Sequence, residues 1–137
     1  MNKKLYQRWD SICAQLSAHI ECFEKEAQAE NKIMLFSDIE RLTPLADNSD
    51  GQRDQVAFRQ LRYRLPPSDI CRSISNCLYG VIDSANDLED QLEDFPMAHK
   101  VLTNLIKRAY LIINAIEAGN RAANYDEMSY PRFTCVP

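Results

Sequence analysis

Between residues 70 and 95, Ile70, Ile74, Cys77, Val81, Ala85, Leu88, Leu92 and Phe95 recur at mixed intervals of four and three. With about 3.6 residues to a turn, that interval lines all of them up on one stripe of an α-helix. A strand would divide them between both faces of a sheet. A stripe this long needs apolar neighbours running nearly parallel or antiparallel to it, so the chain is expected to fold as a helical bundle.

The remaining segments fit that expectation. Leu5, Trp9, Ile12, Leu16, Ile20 and Phe23 make a second stripe in a first helix over 4–35. Its pattern turns polar from Glu24 to Glu30, and Ile33-Met34-Leu35-Phe36 then returns the chain to the core. Ser37 and Glu40 have capping-box spacing for a short helix over 38–42, ended by Thr43-Pro44. Asp50-Gly51 favours a turn. A helix over 53–64 follows, with Val56, Ala57, Gln60 and Leu61 inward. Leu65-Pro66-Pro67 breaks the chain, and Ser68 is the expected N-cap of the striped helix over 69–94.

Residues 97–118 are apolar on most sides, through Met97, Val101, Leu102, Leu105, Ile106, Ala109, Ile112, Ile113 and Ile116. A helix of that kind belongs in the middle of a bundle. Gly119-Asn120 supplies a left-handed stop, and 120–137 has aromatics without a period. The predicted fold is therefore all-α: one helical domain over 1–137, a compact bundle of about four helices with an irregular C-terminal tail. Three glycines in 137 residues agree, since a turn-rich β-fold or a glycine-lined phosphate cradle needs more.

Enzymatic constellations are scarce. His19 and His99 have no metal-ligand spacing to a second histidine or a cysteine pair, and no P-loop, G-x-S-x-G or H-E-x-x-H pattern occurs. Cys13, Cys22, Cys71, Cys77 and Cys135 form no C-x-x-C pair and are expected as reduced, small hydrophobes. The expected protein is not an enzyme and takes no metal or cofactor. The N-terminus has no apolar run behind its lysines and no segment reaches membrane-spanning length, so a cytoplasmic protein is expected. A net charge of −4 opposes binding of the whole molecule to nucleic acid or anionic membranes.

Two charged segments stand out. At about 100° per residue, Asp83, Asp87, Asp90 and Asp94 share a sector of roughly 60°, flanked by Glu89 and Glu93 in a second row. No lysine or arginine occurs between Arg72 and Lys100 to relieve the crowding, which costs a few tenths of a kcal/mol per like-charged pair. Successive carboxylates of the stripe rise about 4.5–6 Å along the axis, a scale comparable with DNA phosphates once side-chain reach is allowed. Such a stripe can occupy the basic groove of a nucleic-acid-binding protein as a DNA mimic. It can equally be a solvated face, or pair with arginines inside the fold. A metal ion is a poor fit, because residues along one straight helix cannot wrap it. The second segment is cationic: Arg53, Arg59, Arg62 and Arg64 with Tyr63, suited to phosphate contact and base stacking or to pairing with nearby acids.

Three blocks, LYQRWDSICAQLSAHIECF, Arg64-Leu65-Pro66 and FPMAHKVLTNLIKRAY, resemble pieces of the N-terminal helical part of the bacterial replication-terminus-binding (fork-arrest) proteins. In that family a Phe-x-x-x-His helps to form a pocket for a flipped-out cytosine, and Phe95 and His99 match its spacing. The chain departs from the family in being acidic and in having no counterpart of the strands that grip DNA. The resemblance thus implies a shared helical scaffold without duplex binding.

Two functions are expected from these features. The first is a phage or mobile-element type inhibitor whose acidic helix docks on a basic surface of a protein partner. The second is a DNA-associated replication protein that contacts nucleic acid through Arg53–Arg64.

Overall fold

The computed structural model describes residues 1–28, 36–46 and 54–134, with side chains for 1–27, 36–46 and 54–119. Ile33 to Leu35, the Asp50-Gly51 turn, Arg53 and Cys135 lie outside the described residues. Among the described residues there are five helices and no strand: α1 (Lys3–Gln28), α2 (Phe36–Ala46), α3 (Gln55–Arg64), α4 (Ser68–Gln91) and α5 (Pro96–Thr134). The all-helical bundle is as expected, with one helix more.

α1 starts where the Asn2 side chain accepts the Leu5 N–H at 2.7 Å, a cap that satisfies one orphan donor. Its buried face is Ile12, Leu16, Ile20, Phe23 and Ala27. Trp9 is half-buried, and its indole N–H donates to the Ala98 carbonyl at 3.1 Å, which ties the start of α1 to the start of α5.

α2 is longer than predicted. Pro44 does not end it but lies inside, and the helix continues to Ala46. Proline removes one i→i−4 bond, here to Glu40, and both residues are on the exposed side where water can serve that carbonyl. Burial of Ile39, Leu42 and Ala46 on the opposite side holds the turn together. The Asp54 N–H donates to Leu45 O at 3.2 Å, joining the end of α2 to the start of α3.

Asp54 also caps α3, its carboxylate accepting from Val56 N at 3.0 Å and Ala57 N at 3.1 Å. Ala57 and Leu61 are buried as predicted, but Val56 is 64% exposed while Phe58 is 3% exposed. Gln60 is exposed as well. Val56 and Phe58, two residues apart, project to nearly opposite sides of the helix, so only one can share the core side with Ala57 and Leu61, and the larger takes it. Leu65, extended because it precedes Pro66, closes the helix.

α4 begins at Ser68, so Pro67 and not Ser68 holds the N-cap position, without a side-chain bond. Its buried face is Cys71, Ile74, Ser75, Leu78, Val81, Ile82, Ala85 and Leu88, followed by Leu92. Cys77 is exposed, contrary to the stripe read from sequence, because Leu78 satisfies the same spacing with more apolar surface. The helix stops at Gln91. Leu92 N–H bonds back to Glu89 O and Phe95 N–H to Leu92 O, a tight turn forced by Phe95 preceding Pro96.

α5 contacts every other helix, which explains its broad apolar surface. Ile112, Ile113, Ala115, Ile116 and Ala118 are all buried, whereas Met97 and Val101, near its start, face outward. Gly119-Asn120 does not stop it: the backbone stays helical to Thr134, so the predicted irregular tail is corrected. Gly119 is instead a point of close approach, since a Cβ there would sit 2.6 Å from Leu65 Cδ1.

Gly80 differs. It lies mid-way along α4, exposed, with nothing within 4 Å of a Cβ built there. Gly80→Ala is expected to stabilise the fold by about 1 kcal/mol, the ordinary helix preference of alanine over glycine. A shift of the urea midpoint to higher concentration at constant slope checks it.

Candidate interaction surface

α4 and α5 are antiparallel neighbours joined by side chains along one outer edge. The Tyr79 hydroxyl bonds Glu117 Oε1, Asn86 Nδ2 donates to the Tyr110 hydroxyl at 3.1 Å, and Thr103 Oγ1 donates to Glu89 Oε2 at 2.8 Å. Tyr79 and Asn86 are seven residues apart, as are Thr103, Tyr110 and Glu117. Seven residues is two turns, so the contacts recur on the same side of each helix. That polar heptad was present in the sequence, but only the pairing of α4 with α5 shows that the two series meet.

The acidic residues divide into three groups on this edge. Asp83, Asp87 and Asp90 are exposed on α4. Glu93 and Asp94, predicted on the same helix, lie beyond its end in the exposed turn before α5. Glu89 is half-buried and bonded to Thr103, so it belongs to the seam more than to the outer row. The helix C-terminus is the negative end of its dipole and has no basic residue in the last turn, which adds to the cost of Asp87 and Asp90 there. Glu93 and Asp94 are better placed, immediately before the positive N-terminus of α5.

Among the described residues no ion pair reaches Asp83, Asp87, Asp90, Glu93 or Asp94; an ion pair at 3.6 Å joins Arg41 to Asp38 on α2. The possibility that the arginines of α3 neutralise the acidic stripe is therefore not realised among them. Arg59, Arg62 and Tyr63 are exposed on α3, which packs on α2 and α5. The Arg62 guanidinium lies 5.9 Å from the Phe58 ring centre. Arg64 is half-buried, with one Nη atom buried and without a hydrogen bond. Among the described residues Arg64 is thus set apart from the exposed Arg59 and Arg62 by its burial.

A groove of about 910 Å³ runs beside the seam between α2, α4 and α5. Asn86, Glu89 and Tyr110 line one side, Lys107 also lines it, and Phe36, under the Arg108 guanidinium at 5.3 Å, lines the other. Two of these polar groups, Asn86 and Glu89, are already committed across the seam.

Burial, and secondarily Asp69, pushes the Cys71 thiol up to about 12, and it donates to Pro66 O at 3.3 Å. Burial, with Asp10 second, raises Cys13 to about 11. Neither is a thiolate at neutral pH, as a nucleophile would need. Cys22 and Cys77 are exposed. His19 and His99 are half-buried, and Phe95 packs against the core. Among the described residues no group of three or more His, Cys, Asp or Glu side chains could hold a metal ion, and no helix is long and apolar enough to cross a membrane.

The edge defines a class only in physical terms: a helical bundle with an acidic face that has no ion pair among the described residues. No family model matches the chain, and no curated protein or solved structure does.

Proposed function

We propose that this is a non-enzymatic, cytoplasmic binding protein that docks on the basic surface of a macromolecular partner through Asp83, Asp87 and Asp90 of α4 and Glu93 and Asp94 of the following turn. The partner is a nucleic-acid-binding protein, inhibited when its basic groove is filled, as by inhibitors of the phage or mobile-element type. The observation that carries this reading is that all five carboxylates are exposed and none has an ion pair among the described residues. Like charge packed at one helix end costs stability, and a cationic surface offsets that cost on binding.

The test is charge reversal. Replacing Asp83, Asp87, Asp90 and Asp94 together with lysine is expected to abolish capture of the partner from host lysate while helicity by circular dichroism stays unchanged. Equal capture by the two proteins would sink the proposal.

A further inference from the structure

The acidic edge is not only acidic. Tyr79 and Tyr110 are 46% and 39% exposed, and each hydroxyl is held across the seam, Tyr79 by Glu117 and Tyr110 by Asn86. The rings are therefore fixed at one end while much of their surface meets solvent. Tyr79 is four residues before Asp83, which puts the two side chains next to each other on α4. Asn86, bonded to Tyr110, has Asp83 three residues before it and Asp90 four after it. Tyr79 thus stands one helical turn from Asp83, and Tyr110 is bonded to the residue that lies between Asp83 and Asp90 on α4. Lys107, one turn from Tyr110 on α5, bounds the acidic surface on that side.

We infer that the edge formed by Tyr79, Asp83, Asn86, Asp90 and Tyr110 recognises arginine, and that its occupant is an arginine-rich segment of a protein partner in preference to a lysine-rich one. The inference rests on the docking reading above and adds the partner's side-chain chemistry to it. A guanidinium is planar: it donates two parallel hydrogen bonds to a carboxylate and stacks its face on an aromatic ring. An ammonium is a compact, strongly hydrated charge that gains less from the ring. A bare row of aspartates would attract both cations and favour arginine only through that paired bonding, so the rings supply the larger part of the discrimination. The hydroxyl bonds add preorganisation, since a ring held in place loses little freedom when a ligand stacks on it. A second copy of this chain is a poor occupant, because a two-fold contact through this edge sets aspartate against aspartate.

The full chain, titrated at low ionic strength with labelled nona-arginine and nona-lysine peptides and followed by fluorescence anisotropy, tests this. Nona-arginine is expected to bind about tenfold more tightly, the combined effect of two exposed cation–π contacts. In a Tyr79→Ala/Tyr110→Ala variant the preference should fall to the small remainder set by the carboxylates alone. A Tyr79→Phe/Tyr110→Phe variant, which keeps the rings and loses only their anchors, should retain most of the preference. Equal binding of the peptides by the unsubstituted chain overturns the arginine assignment and leaves acidic docking standing. No binding of either peptide overturns both. A preference undiminished by the double alanine change, in a protein shown to be helical, overturns the assignment to these rings.

Discussion

Ile112→Ala is expected to lower the unfolding free energy by about 2–5 kcal/mol, a large share of what holds a domain this size together. The residue is fully buried on α5, beside Ile113 and Ile116, on the helix that contacts all four others. A cavity there cannot collapse easily, because the surrounding side chains belong to several helices that would have to move together. Ile112→Val removes one methylene and should cost only about 0.5–1.5 kcal/mol. Urea denaturation measures both, with the slope retained if the native state stays compact. Similar small losses for the two substitutions would mean that α5 is not the centre of the core.

The second large effect is at Gly119. Gly119→Asn is expected to destabilise by about 1–3 kcal/mol, because its Cβ would enter the space of Leu65 Cδ1. Gly119→Ala brings the same close atom but gains about 1 kcal/mol of helix preference, so it should be milder. The comparison separates the two roles a glycine can have here. A left-handed helix stop accepts asparagine with little loss, whereas a helical position pressed against a neighbour does not. An asparagine variant as stable as the unsubstituted protein would sink the packing account.

These two positions also show what the sequence could and could not convey. The stripes of α1 and of the centre of α4 were legible because spacing alone places Ile12, Leu16, Ile20 and Phe23, or Val81, Ala85 and Leu88, on one side. Where two neighbours fit the same spacing, as Cys77 and Leu78 do, periodicity has no preference and side-chain size decided. Pro44 and Gly119 look like punctuation in one dimension. Pro44 is tolerated because its missing bond is on an exposed side, and Gly119 leaves room for the Leu65 side chain at the end of α3. Both are facts of tertiary contact. The acidic stripe is legible in the sequence as a cluster, but its break is not: α4 ends at Gln91, and Glu89 turns toward Thr103. Spacing does not single out the tyrosines beside it, because their partners, Glu117 and Asn86, lie 38 and 24 residues away in the chain.

The position of α5 has a consequence for how the protein comes into being. Chains are made from the N-terminus at about 5–20 residues per second, so the 39 residues of α5 take seconds to follow α1 to α4. Until Leu102, Ile106 and Ile112 emerge, the apolar faces of α1 and α4 lack their shared central partner. The bond from Trp9 to Ala98 spans 89 residues of sequence and must wait for the same event. The nascent chain therefore passes through an interval in which the apolar faces of α1 and α4 are without α5.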